Sequence, residues 1–468
     1  MQIAPVLHAL EAGFDRTLAD LVDLARIPSV SAAGFDPANV VKSAERVAAI
    51  LAGSGLERVE LLRVGKAHPA VYGEWLGAGP KAPTVLIYAH HDVQPPGRAA
   101  HWQTPPFEPT VRDDGRLYGR GVVDDKAGLL LHVAALRAWH AAHGALPVNV
   151  KVLVEGEEEI GSLHLAELLR AYRDRLSADV LVLSDTANLA TGVPSYTVSL
   201  RGLVVVEVTV RALDHPLHSG MWGGPLPDAA TALCAILGRL TDARGAIAVP
   251  GLADDAPELS PAERAALAAL PFDPVEFRTD AGLLAGVPLS GEPGRGVYEQ
   301  IWRRPALAVT ALEAMPLAES ANQLIAEARA KVGLRLAPGQ DAERATRRLI
   351  AALETDPPRG VRVETKLESA SPGWITEPVG PAFDAMRRAL HAGFDRAPVA
   401  VGCGGSIPFV GPFVAELGGA PALLLGLEDP PCNAHGENES LHLGDFRKAA
   451  RASLHLLAEL SAAVLPAR

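Results

Sequence analysis

The chain has 468 residues, long enough for two or more domains, and its 48 % apolar and 21 % charged content is that of a folded globular protein. Its formal net charge is −12 without any Lys/Arg cluster, which argues against nucleic acid or an anionic membrane as the main partner. From the start of the chain, residues 1–20 carry Glu11, Asp15 and Asp20 and no apolar core of signal-peptide length. Helical apolar spacing covers residues 16–26 and 39–53.

An apolar run, Val85-Leu86-Ile87, then predicts a buried strand over 84–89 that leads into Tyr88-Ala89-His90-His91-Asp92-Val93-Gln94-Pro95. The histidines and the aspartate thus fall at a strand's carboxyl end, where open α/β sheets place their chemistry. Imidazole binds zinc well, and an aspartate two residues on can receive the other ring N–H. Next, Asp124-Asp125-Lys126 closes a Gly-rich loop, Tyr118-Gly119-Arg120-Gly121, ahead of a helix. Taken alone, these aspartates read as well as a helix cap as a carboxylate bridging two metals.

A strand over 148–154 runs into Glu155-Gly156-Glu157-Glu158-Glu159, four glutamates in five positions. That is unfavourable unless cations are near, or it is a solvated acidic turn. A helical signal spans 163–172, and the strand at 179–184 ends beside Asp185. This alternation predicts a mostly parallel sheet with helices on both faces.

The grammar changes near Ser199. A strand at 203–210, a helix at 227–240, strands at 306–313 and 325–336, a helix at 341–354 and a strand at 360–367 give βαββαβ, the ferredoxin-like plan. A long insertion between them contains Ser260-Pro261-Ala262-Glu263, a capping-box start. Alternating α/β grammar resumes from Trp374, with a strand at 422–425, a polar loop holding His435, and a last helix at 444–462. The expected architecture is α/β: a discontinuous domain of 1–198 and 374–468, interrupted by an α+β domain at 199–373.

Cys234, Cys403 and Cys432 are odd in number and widely spaced, so they form neither a disulfide framework nor a paired-thiolate zinc motif. No uncharged apolar stretch of about 18 residues occurs, and the cytoplasm is the expected location. Two histidines and at least four carboxylates gather near strand ends of one sheet. Mixed His/carboxylate ligation suits zinc, and two such ions form a hydrolytic site.

This ordered set of blocks resembles the M20 metallopeptidases, in particular their dipeptidase branch of cytosolic nonspecific dipeptidases and carnosinases. The resemblance implies that the inserted ferredoxin-like domain serves as lid and dimerisation domain. It implies that His90 and Asp185 hold one metal, His435 and Glu159 the other, and that Asp124 bridges them. Asp92 would orient His90, and Glu158 would be the general base. His218, in Leu217-His218-Ser219-Gly220, would stabilise the oxyanion, acting in dimeric relatives on the neighbouring subunit's site. Arg335 would hold the substrate carboxylate together with Gly405 and Ser406 of Gly404-Gly405-Ser406-Ile407-Pro408.

The implied cofactors are two divalent ions, zinc first, with manganese or cobalt compatible. The implied activity is hydrolysis of dipeptides or short peptides by a homodimer. N-acyl amino acid hydrolysis, carboxypeptidase action and a non-catalytic metal-binding scaffold are the alternatives. The chain departs from the family pattern at Ala89, His91, Pro216, Gly402 and Cys403. His91 can line the substrate site, pack in the interior or touch metal. Cys432, three residues before His435, reads as a small buried thiol.

Overall fold

The computed structural model describes residues 1–407 and 409–465. Its contacts divide into two compact units: Met1–Val198 with Glu377–Val401 and the chain from Phe409, and Ser199–Thr376 with a short segment from Gly402.

In the first unit the β-branched and leucine-rich runs form strands ordered Glu57–Leu62, Ala70–Trp75, Asn149–Glu155, Thr84–His90, Val180–Ala187, Ala422–Glu428 and Ser195–Leu200. Asn149–Glu155, Thr84–His90, Val180–Ala187 and Ala422–Glu428 are parallel to one another; the flanking pairs are antiparallel. The sheet is therefore mixed, and the parallel pattern expected from sequence holds at its centre. Residues 149–155 are buried throughout, as expected for a strand covered on both faces.

Side-chain alternation explains the two covering layers. Val85, Ile87, Val150, Val152, Val154, Val180 and Val182 belong to a core built with helices Ala4–Ala25, Lys126–His143, Pro381–Phe394 and Leu443–Ala462. On the alternate positions, the Tyr88 ring packs tilted at 4.4 Å from the Phe409 ring and edge-on at 5.8 Å from that of Phe413. The small ladder Thr110–Val111, Arg116–Tyr118 and Ser440–His442 brings the loop before the last helix beside the Gly-rich loop.

Several boundaries differ from those read in the sequence. The first helix starts at Ala4 with a proline in its first turn, a favoured place because that N–H needs no helical partner. The helix expected over 163–172 is Leu165–Ala171, followed by a short helix Arg173–Leu176 and preceded by a separate 3-10 turn at Glu158–Ile160. Among the described residues no helix is long and apolar enough to cross a membrane.

In the second unit, strands Gly202–Arg211, Ala306–Glu313, Glu327–Leu336 and Arg362–Ser371 pair antiparallel, with the first strand between the third and fourth. Val204, Val206, Val208 and Val210 alternate onto one face, where Leu233 and Ile236 of helix Ala229–Gly238 and Leu349 and Leu353 of helix Ala342–Glu354 cover them. This is the βαββαβ plan. The insertion holds helices Pro261–Ala268, Pro274–Asp280 and Val297–Arg303, the first opened by the Ser260/Glu263 capping box.

Candidate metal centre

Parallel strands share one carboxyl edge, so whatever follows each strand converges there. His90 ends Thr84–His90, Asp185 lies near the end of Val180–Ala187, and Glu158 and Glu159 occupy the turn after Asn149–Glu155. His435 comes from the loop after Ala422–Glu428, and Asp124 from the loop before helix Lys126–His143. His90 Nε2 lies 3.0 Å from Asp124 Oδ1 and 3.8 Å from Asp185 Oδ2. His435 Nε2 lies 2.9 Å from Asp124 Oδ2 and 3.2 Å from Glu159 Oε2. The two oxygens of Asp124 therefore face different imidazoles.

Three groups bring donor atoms within 4.8 Å of one another: His90/Asp125/Asp185, Asp124/Glu159/His435 and Asp124/Asp185/Glu428. Burial drives the carboxyls of Asp125, Glu158, Asp185 and Glu428 above their ordinary range, and neighbouring carboxylates add to the effect. Burial and then the Asp124 charge push Glu159 up to about 7. Burial also opposes the Asp124 charge, yet His435 and His90 hold that carboxyl well below the usual range. Hydrogen bonding to Asp124 and Glu159 pushes His435 up to about 11. Burial alone would lower His90, but Asp124, Asp185 and Asp92 raise it well above its ordinary value. A nest of carboxyl oxygens with two imidazoles suits divalent cations, whose charge offsets the repulsion.

The surrounding groups fix this geometry. Asp92 is fully buried: Oδ2 accepts from Ser31 Oγ at 2.6 Å and Glu159 N at 3.1 Å, and Oδ1 accepts from Glu158 N at 3.2 Å. His90 Nδ1 sits 3.1 Å from the Asp92 carbonyl and 3.5 Å from its Oδ1. Asp92 thus joins the His90 strand end to the glutamate turn. Of the four clustered glutamates, Glu155 accepts from Tyr88 and Ser162, Glu157 from His68 N and His164, and Glu159 from Gln94. Of these four, Glu158 alone accepts no hydrogen bond at its carboxylate from the described residues.

Asp125 opens helix Lys126–His143 without a side-chain cap; its Oδ2 accepts from His90 N at 3.2 Å instead. The helix-cap reading of the pair is therefore not what the chain adopts. His91 is buried, 2.9 Å from the Pro69 carbonyl through Nε2, and burial lowers its imidazole to about 4. It packs in the interior, outside the donor groups. Cys432 is likewise a buried thiol outside them.

Three residues without a sequence-assigned role belong here. Glu428 joins a donor group, and it went unassigned because its strand reads from sequence as ending at Leu425. Gln94 holds both oxygens of Glu159. Glu439 accepts from Arg120 at 2.7 Å and from the N–H groups of Gly121, Val123 and Asp124 at 3.0, 3.1 and 3.3 Å. Arg120 in turn donates to the His435 and Gly436 carbonyls, so one buried ion pair ties the Asp124 loop to the His435 loop. In the sequence Glu439 is only one residue of the polar loop that holds His435.

Glu439→Ala strands Arg120 in the interior and is expected to lower the unfolding free energy by about 3 kcal/mol or more. The urea midpoint reads this, and Glu439→Gln, which keeps an acceptor oxygen, loses less. An alanine variant with the wild-type midpoint contradicts the role.

In the second unit, Arg335 Nη1 donates to Ser406 Oγ at 2.8 Å, which brings Arg335 together with Gly405 and Ser406. Pro408 of the same motif lies outside the described residues. His218 is exposed in a two-residue ladder with Gln323, and its Nδ1 accepts from Gly220 N at 3.1 Å.

Residues 86–459 match Peptidase family M20/M25/M40. The cysteinylglycine-S-conjugate dipeptidase of Corynebacterium striatum is 33 % identical over 80 % of this chain and 81 % of its own. The human Beta-Ala-His dipeptidase is 30 % identical over 81 % and 75 %. Among solved structures, the di-peptidase Dug1p from Saccharomyces cerevisiae superposes with a TM-score of 0.86 at 25 % identity, covering 99 % of each chain. The family match spans most of the chain, from the strand that ends in His90 to the last helix. The chain belongs to peptidase family M20/M25/M40.

Proposed function

We propose that this chain is a di-metal dipeptidase that cleaves the amide bond of dipeptides or short peptides. The observation that carries the reading is Asp124, whose two oxygens face His90 and His435 separately while Glu158 beside them stays uncommitted. The donors fit two divalent ions: His90 and Asp185 for one, His435 and Glu159 for the other, with Asp124 shared. Zinc is the preferred metal on ligand type, and manganese or cobalt suit the same donors. When bound, the ions supply an acidified water and a polarised carbonyl.

The chain's own groups do the remaining work. Asp92 fixes the His90 ring and the turn that carries Glu158 and Glu159. Glu158 takes a proton from water as its oxygen bonds to the scissile carbonyl carbon. It then passes that proton to the amide nitrogen as the C–N bond breaks, releasing an amine and a carboxylic acid that gives up its remaining proton to solvent. His218 is assigned to the developing oxyanion, and Arg335, Gly405 and Ser406 to the substrate carboxylate.

The names of the Corynebacterium and human relatives support dipeptides as the substrate class. We assign a homodimer in the cytoplasm, with the second unit as its lid and dimerisation domain. A strictly monomeric protein with full activity would remove the case for His218 acting across subunits.

The test is a panel of dipeptides, longer peptides and N-acetyl amino acids presented to the metal-loaded protein. Dipeptides are expected to be cleaved fastest. Preference for N-acetyl amino acids, or for C-terminal trimming of long peptides, would move the assignment to those reactions. Hydrolysis of none of them would favour a metal-binding scaffold.

A further inference from the structure

Arg201 lies between strands Ser195–Leu200 and Gly202–Arg211, within the second unit. Its backbone N–H faces the carbonyls of Cys403 at 3.3 Å and Gly405 at 3.2 Å, and its Nε–H donates to the Gly404 carbonyl at 2.9 Å. Three successive carbonyls of one loop thus turn toward one residue. In a trans peptide the C=O and the following N–H point in opposite directions. Drawing these carbonyls to Arg201 aims the N–H groups of Gly404, Gly405 and Ser406 away from it. The Gly405 N–H meets Cys403 Sγ at 3.3 Å, while Ser406 Oγ accepts from Arg335.

The loop is also packed too closely to carry side chains at two positions. A Cβ on Gly402 would sit 2.5 Å from Trp302 Cβ, and one on Gly404 would sit 2.9 Å from the Ile301 carbonyl. Trp302 therefore fills the space at Gly402, one of the positions where this chain departs from its family pattern. Burial and then Arg335 pull the Arg201 guanidinium down to about 10, consistent with two arginines sharing one confined region.

We propose that Arg201 is a positioning residue that holds the 403–406 loop in the conformation that binds the substrate's carboxylate. The proposal rests on the reading that Arg335, Gly405 and Ser406 recognise that carboxylate. It assigns the two arginines different work: Arg335 meets the substrate, and Arg201 shapes the backbone around it.

The test compares a dipeptide bearing a free C-terminal carboxylate with its C-terminal amide, on metal-loaded wild type, Arg201→Met, Arg201→Lys and Arg335→Met. Arg201→Met is expected to raise KM for the free acid roughly tenfold or more, with kcat changed by less than about threefold. Its preference for acid over amide shrinks accordingly. Arg201→Lys, which keeps the charge but loses the Nε–H donor, falls between Met and wild type, and is the variant to read if Met does not fold.

Wild-type KM in both Arg201 variants, or a loss confined to kcat, overturns the proposal. If Arg335→Met erases the preference and the Arg201 variants keep it, only the Arg201 role fails. If Arg335→Met also keeps it, the carboxylate reading itself fails, and the Arg201 role with it.

Discussion

Replacing Glu158 with glutamine is expected to cut kcat on a dipeptide by roughly 10²–10⁴-fold, the usual worth of a positioned general acid–base. Metal content should stay at the wild-type level, because Glu158 is not assigned to either ion. Glutamine keeps the shape and loses only the ability to accept and return a proton. The three companion glutamates cannot substitute: Glu155, Glu157 and Glu159 are each engaged by neighbours. Elemental analysis of the purified variant, read beside its kcat, checks both halves. Full activity would refute the base assignment, and loss of metal together with activity would make Glu158 a ligand.

The second large effect belongs to Asp124. Its oxygens lie 3.0 Å from His90 Nε2 and 2.9 Å from His435 Nε2, so its replacement weakens both ion positions at once. Asp124→Asn is expected to abolish measurable turnover and to retain less than one ion per chain after desalting. His435→Ala removes a ligand from one position only and should keep close to one ion. Two ions retained in Asp124→Asn would show that the carboxylate does not bridge.

These expectations rest on residues whose legibility in the sequence differed for physical reasons. His90 and Asp185 were readable, and Glu159 as one of four clustered glutamates, because a parallel strand announces itself as an unbroken apolar run, and its first polar residues must fall at the sheet edge. Asp124 and His435 lie in loops, where periodicity says nothing: the residues alone leave Asp124 open between a cap and a metal bridge, and the resemblance to a family supplies both their roles. The outer strands Glu57–Leu62, Ala70–Trp75 and Ser195–Leu200 are not among the elements expected from sequence, the first because it is half exposed and lacks a continuous apolar signal.

Gln94 and Glu439 show a further limit. Each acts through a partner distant in sequence: Glu439 meets Arg120 and Gln94 meets Glu159. Spacing along the chain carries no trace of such pairs. His91 illustrates the reverse, a conspicuous residue beside the site that the fold uses for packing against the Pro69 carbonyl.

The central claim is that two divalent ions held by this chain are required for dipeptide hydrolysis. The most direct measurement strips the protein with a chelator, removes the chelator, and titrates zinc back while following both bound metal and dipeptide cleavage. The stripped protein is expected to be inactive, with cleavage returning as uptake approaches two ions per chain. Undiminished cleavage by the stripped protein, or none by the protein carrying two ions, would contradict it.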